Sequence, residues 1–272
     1  MLNIKEGREP CLKETEEWMT APELLAAALT LGRRLLECGA EIYRVEESMR
    51  RMCLAYGAKE AEVYAVPTSI IATIRMEDAQ TLTQVCRIQQ RGTDLHKVDR
   101  LNALCRSVCA DPVSRTAFWM RMAEIEQAPM YRRRTRCLAS GGVAICFALL
   151  FGASFSEGAL AFLIGTVLAL VVEQASLLHT TPLFVNVLGG AWISFAALLG
   201  TALGFGTNYD VVIIGALMPL VPGLLMTNAI RDMIAGDFMA GITRFSEALL
   251  SAAGIAAGAA IPLSLSSLLL GV

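Results

Sequence analysis

The second half of this chain has almost no charge. Past Arg136 it holds no Lys, two Arg and six acids, against 21 basic and 19 acidic residues before that point. So little charge excludes an ordinary solvated domain, and the long apolar runs there point to a bilayer. Other absences narrow the chemistry. There is no GxxxxGK[ST], HExxH or GxSxG pattern, which excludes the commonest phosphate-binding, zinc and nucleophile-elbow sites. Histidine is confined to His96 and His179, and no CxxC occurs among eight cysteines lying between Cys11 and Cys146. Cys105 and Cys109 are one helical turn apart, but no nearby His completes a metal site, so the thiols read as structural. Residues 1–20 carry Lys5, Arg8 and Lys13 among several Glu, without the apolar core of a signal peptide, and are expected to form a flexible tail.

What is present divides in two. Residues 21–130 have a soluble mixture and are expected to fold as an α+β domain. Leu24, Leu25, Ala28, Leu31, Leu35 and Leu36 share one helix face, and Gly39 stops that helix. A second helix places Ile42, Val45, Met49, Met52 and Tyr56 inward, with Glu41, Arg44, Glu47 and Arg51 outward, and ends at Gly57. β-Branched runs at 62–66, 69–75 and 81–88 predict strands, with a turn at 76–80. Two more helices are expected at 94–110 and 114–127, the first with Leu95, Val98, Leu101, Cys105 and Val108 on its inner face.

Residues 131–272 read as an all-α polytopic membrane domain. Run length predicts five transmembrane helices near 137–154, 159–178, 183–204, 211–230 and 242–270, about 20 residues being needed for each crossing. Arg132-Arg133-Arg134-Thr135-Arg136 abuts the first run, and such clusters face the cytoplasm. The N-terminal domain is therefore expected in the cytoplasm of a multi-pass plasma-membrane protein, with the C-terminus outside. Glu157 and Asp210 then fall in outward loops, and Arg231 and Arg244 on the inner side.

Polar groups inside or beside such runs are the candidate site. Glu173 lies near the inner end of the second run and either reaches the interface or faces a polar cavity, where it could bind a cation or carry a proton. Asn186 is a weaker case. Pro219, Pro222 and Gly223 interrupt the fourth run, either as a kink or as a discontinuous helix whose opened backbone holds a substrate. Arg231, Asp232 and Asp237 follow at the inner mouth, and Arg244 and Glu247 share a helix face close enough to pair. Gly254 and Gly258 form a GxxxG suited to close helix packing.

Pro222-Gly223, Asn228-Ala229-Ile230-Arg231-Asp232, Gly236-Asp237, Gly241, Arg244 and Glu247-Ala248 resemble the signature of the threonine/serine exporter family. Gly39 to Glu47 (GAEIYRVEE) and Val66-Pro67-Thr68 are similar to that family's cytoplasmic domain, so the resemblance spans about residues 24–270. It implies export of small amino acids, or of dicarboxylates such as succinate in a two-component branch. Single-chain members carry a second set of spans. The resemblance is therefore to the large subunit of a split exporter, which implies a small multi-span membrane subunit as partner, or a homo-oligomer.

The leading expectation is a secondary exporter, coupled to protons because no nucleotide motif exists. Arg231 would attract a substrate carboxylate, Asp237 or Glu247 an ammonium or the coupling proton, and Pro222-Gly223 would line the path with Asn228 near it. No cofactor, metal or nucleic acid is expected, and no enzymatic activity. The alternatives are a hydrolase in the N-terminal domain tethered to the membrane, or a scaffold or sensor that transports nothing.

Overall fold

Helix α1 (Ala21–Glu37) starts where Thr20 donates its backbone N–H to Glu23 Oε2 at 3.0 Å, a reciprocal cap for the first turn. It stops at Gly39, whose φ of +90° suits only glycine and brings the chain against Gly92. The computed structural model describes residues 18–77, 80–128, 131–177 and 181–270. Most of the expected tail, and His179, lie outside them. The described residues form two compact units divided after Ala128.

In the first unit, α1 buries Leu24, Leu25, Leu31 and Leu35 completely against α2 (Ile42–Ala55) and a sheet. Each such side chain contributes about 1.5–3 kcal/mol, so Leu31→Ala alone would cost about 2–5 kcal/mol. Gly32 lets Met49 pack close, because a Cβ there would lie 2.1 Å from Met49 Sδ and push it aside. The sheet runs β1 (Glu60–Val66), β2 (Ser69–Arg75), β3 (Thr81–Arg87), all antiparallel. Ala65, Ile70, Ala72 and Ile74 face inward, whereas the cross-strand row Tyr64, Ile71 and Val85 is exposed. Helices α3 (Leu95–Ala110) and α4 (Arg115–Glu126) complete the unit, with Asp94 capping α3 by accepting from Lys97 N.

Two expected orientations differ. Leu95 is 58% exposed, because Asp94 caps the helix and leaves its first residue on the outer side. Glu41 is buried, not outward, as the residue preceding α2, where it accepts from Arg44 Nε at 2.6 Å.

The second unit contains α5 (Arg133–Leu150), α6 (Phe155–Leu177), α7 (Pro182–Ala202), α8 (Tyr209–Leu217), α9 (Gly223–Ala235) and α10 (Phe238–Leu270). Among the described residues three helices are long and apolar enough to cross a membrane: α6, α7 and α10. This corrects the expectation of five. The first expected span is α5, which begins inside the basic run and leaves an apolar part of only about 14 residues, short of the ~20 required. The fourth is divided into α8 and α9, of 9 and 13 residues.

Small residues hold this unit together. A Cβ on Gly141 would meet Phe162 O at 2.7 Å, one on Gly165 would meet Ala144 Cβ at 2.7 Å, and one on Gly215 would meet Ala148 N at 2.7 Å. These close α5 on α6 and on α8. The Gly254/Gly258 pair packs on α7, with Gly258 against the Val187 carbonyl and Gly254 against Leu183. Gly190 meets α10 further on, at Ile255 and Ala259. Residue numbers rise together on both helices, so α7 and α10 run parallel. Gly254 is level with the first turn of α7, and the stretch of α10 from Phe238 extends about 24 Å ahead of that level. Helix α9 folds back on this extension, and the two form a projecting hairpin.

Candidate functional site

The break between α8 and α9 is built by two prolines. Neither Pro219 nor Pro222 can donate to a helical ladder, and Pro222 takes φ −78°, ψ +52°, outside helical values. The chain closes locally instead, with Leu220 and Val221 N–H both donating to Leu217 O and Gly223 N–H to Val221 O at 2.8 Å. Helix α9 begins at Gly223, so its first N–H groups are presented at the break, where a helix favours negative charge. Leu220 anchors the break to the core, its side chain seated on Gly189 of α7 and within reach of the α6 residue Leu168 that lines the same spot.

Beyond the break, α9 ends in a left-handed residue, Gly236, at φ +98°, with Asp237 N–H bonded to Asp232 O at 2.9 Å. That turn sends α10 back along α9, and Gly241 permits the approach, since a Cβ would stand 2.9 Å from Ala229 O. The pairing brings Arg244 Nη1 to 3.1 Å from Asp232 Oδ2, with side-chain exposures of 6% and 0%. An ion pair this deep is costly to form unless both partners are held, and breaking it strands a buried charge.

The expected site residues fall in different places. Asp232, expected in a loop at the mouth, is fully buried in α9, because α9 continues to Ala235 instead of ending at Ile230. Arg244, on the same face of α10 as Glu247, is ion-paired with Asp232. Arg231 is exposed on the outer face, and Asn228, Asp237 and Glu247 are half-buried. Glu247 lies about two turns before the level of Gly254, in the stretch of α10 that extends ahead of α7. Pro222 is half-buried and Gly223 exposed, with open space where a Cβ would go. Pro222, Gly223, Asn228, Arg231, Asp232, Asp237, Arg244 and Glu247 thus share one α9–α10 hairpin. Glu173 does not join them.

Glu173 is held by the base of α5. Its Oε2 accepts from Arg133 Nε at 2.9 Å and its Oε1 lies 3.2 Å from Arg136 Nη2. Its partners are thus two arginines of the basic run. Asn186 is half-buried beside Gly254.

Two polar residues were not among the expected site residues. Glu157 is buried at the start of α6, where its Oε2 accepts from Ser154 N and Oγ at 2.8 Å. Its Oε1 accepts from Thr207 N at 3.1 Å and Asn208 N at 2.9 Å, tying α6 to the segment before α8. Ser154-Phe155-Ser156-Glu157 ahead of an apolar run is a legible capping-box signal. Ser194 in α7 is fully buried, and its hydroxyl has no hydrogen-bond partner among the described residues. No sequence signal marks it.

In the first unit, Cys105 Sγ lies 3.9 Å from Cys109 Sγ and donates to Ser48 O at 3.4 Å. Burial pushes the Cys53 and Cys105 thiols up to about 12. Both are therefore protonated and unreactive near neutrality, as structural thiols are. Among the described residues no cluster of His, Cys, Asp or Glu is arranged to hold a metal.

Residues 26–266 match a family model described as "Putative threonine/serine exporter". The chain belongs to the threonine/serine exporter family. Within that family it is 22% identical over 249 residues to the threonine/serine exporter of Corynebacterium glutamicum, covering 89% of this chain and 51% of that protein. It thus spans about half the length of that relative. It is 24% identical over 235 residues to a "Probable succinate transporter subunit YjjP" of Escherichia coli K12, covering 86% of this chain and 91% of that one. A Klebsiella aerogenes protein of the same description is 24% identical over 218 residues, covering 79% and 83%. These relatives are transporters and not enzymes. No solved structure matches the chain. Family membership and the long apolar helices make this a multi-pass membrane protein with a separate α+β unit.

Proposed function

We propose that this chain is a subunit of a secondary exporter that moves small amino acids or small dicarboxylates out of the cytoplasm, coupled to protons. The observation that carries the reading is the α8–α9 break, followed at once by a hairpin locked by the buried Asp232–Arg244 pair, in a member of an exporter family. A discontinuous helix offers an anionic substrate a positive helix end and opened backbone. Arg231 is exposed on the same hairpin and attracts a carboxylate towards the break. Asp237 and Glu247 supply the ammonium contact or the coupling proton, and Asn228 lines the approach. Ser194 adds a buried hydroxyl to α7 that a passing polar solute can bond.

The N-terminal unit lies in the cytoplasm and the C-terminus outside in this reading. The basic run at the start of α5, with Glu173 beside it, supports an inner edge there, in keeping with the preference of Arg clusters for that side. Helices α6, α7 and α10 with their short companions make a thin scaffold for a pathway. A small multi-span membrane subunit, or a second copy of the chain, therefore completes it. The relatives described as transporter subunits, of similar length to this chain, support an assembly of more than one chain. The test is efflux of threonine and of succinate from reconstituted vesicles, with and without a co-expressed small membrane subunit. Saturable efflux in either arrangement is expected; absence in both contradicts the reading.

A further inference from the structure

We propose that the cleft between α2 and α3 in the N-terminal unit binds a small organic anion carrying carboxylate or phosphate groups. The cleft has a volume of about 480 Å³, within the usual range for small-molecule sites. Arg44 and Arg51 reach it from α2 and Arg106 from α3, against one lining carboxylate, Glu47. Residues 44, 48 and 51 lie along one face of α2, and 102, 105, 106 and 109 along the facing side of α3. Both walls are thus rigid helix and not loop.

Two of the arginines are already positioned. Arg44 donates through Nε to Glu41 at 2.6 Å and to Tyr43 Oη at 3.0 Å, and Arg51 donates through Nε to Glu47 at 2.5 Å. Each contact uses one of five guanidinium N–H donors, so the fork retains capacity for a carboxylate or phosphate. Glu41 and Glu47 offset two of the three guanidiniums that share this concavity, which leaves it a net positive charge. The floor adds no opposing charge. Cys105 and Cys109 are both held up by burial, and Cys105 spends its S–H on the Ser48 carbonyl. Tyr43 and Asn102 add an aromatic wall and an amide, suited to an organic body and not to a bare ion. This site is separate from the proposed pathway and does not depend on it.

Calorimetric titration of the full chain in zwitterionic detergent tests it, with succinate, inorganic phosphate and threonine as probes. Saturable binding of succinate assigns a carboxylate ligand, and of phosphate a phosphorylated one. Either is expected to weaken at least about tenfold in Arg106→Gln and in Arg51→Gln, the loss of one charge-assisted bond. Both side chains are exposed, so thermal unfolding should not move. Arg115→Gln, an exposed arginine of the same unit that lies outside the cleft, should bind as the unaltered chain does. The proposal is overturned if neither anion binds, if binding survives both cleft substitutions, or if Arg115→Gln weakens it as much as they do.

Discussion

Asp232 and Arg244 meet across the α9–α10 turn at 3.1 Å, on residues twelve apart in sequence and both closed off from solvent. The pair is the internal bolt of the hairpin. Removing one partner leaves the other as a buried charge, so Asp232→Asn or Arg244→Gln should lower stability by about 3–5 kcal/mol. The double substitution Asp232→Leu/Arg244→Leu should recover much of that loss. Thermal unfolding of the solubilised protein measures both, and a double variant as weak as the singles would argue against a coupled pair.

The packing of α10 on α7 gives a sharper steric prediction. Gly258→Ala places a Cβ 2.0 Å from the Val187 carbonyl oxygen, a backbone atom that cannot swing aside. It should destabilise by about 1–3 kcal/mol or more. Gly142→Ala in α5 has open space and should be neutral or stabilising by about 0.5–1 kcal/mol, as Gly to Ala within a helix usually is. Unfolding temperatures of the two variants should move in opposite directions, or one only.

Glu173 is partnered by two arginines, and its side chain is 29% exposed against Arg133 and Arg136 at about half. Such pairs contribute about 0–1 kcal/mol. Glu173→Gln should therefore keep stability within that range and retain efflux. Efflux measured at matched protein levels checks this; a full loss would return Glu173 to the pathway.

The buried thiols make the N-terminal unit sensitive to alkali. Cys53 and Cys105 are raised from 9.0 to about 12 by burial, so the folded state holds protons that the unfolded state gives up. Their contribution is complete below pH 9 and is lost as pH rises towards 12. Alkylation by iodoacetamide at pH 8 should be slow at these two positions, and unfolding temperature should fall between pH 9 and 12. Replacing both with Ala should flatten that fall.

Much of this architecture was legible. Gly39 and Gly57 ended helices because both sit at positive φ, and the prolines at 219 and 222 broke a helix for want of N–H donors. The GxxxG at 254 and 258 packed as its spacing implied. What the sequence hid depends on register between distant segments. Hydropathy cannot show that α10 starts about 24 Å ahead of α7 or that α9 continues to Ala235, so Asp232 was expected in a loop. Counting apolar runs also overstated the spans, because α5 borrows its first turn from the basic run and α8–α9 is two helices. Glu157 carried a capping signal, but its second partners, Thr207 and Asn208, lie fifty residues on and are visible only in the fold.

The proposed export path runs along the broken helix and its hairpin and is coupled to protons. The direct measurement is efflux of labelled threonine and succinate from vesicles holding this chain with a small multi-span subunit, with and without an imposed pH gradient. The account predicts saturable efflux of one of them, faster with the gradient and strongly reduced in Arg231→Gln while unfolding temperature is unchanged. Efflux of neither solute under any arrangement, or efflux indifferent to both the gradient and Arg231, would contradict it.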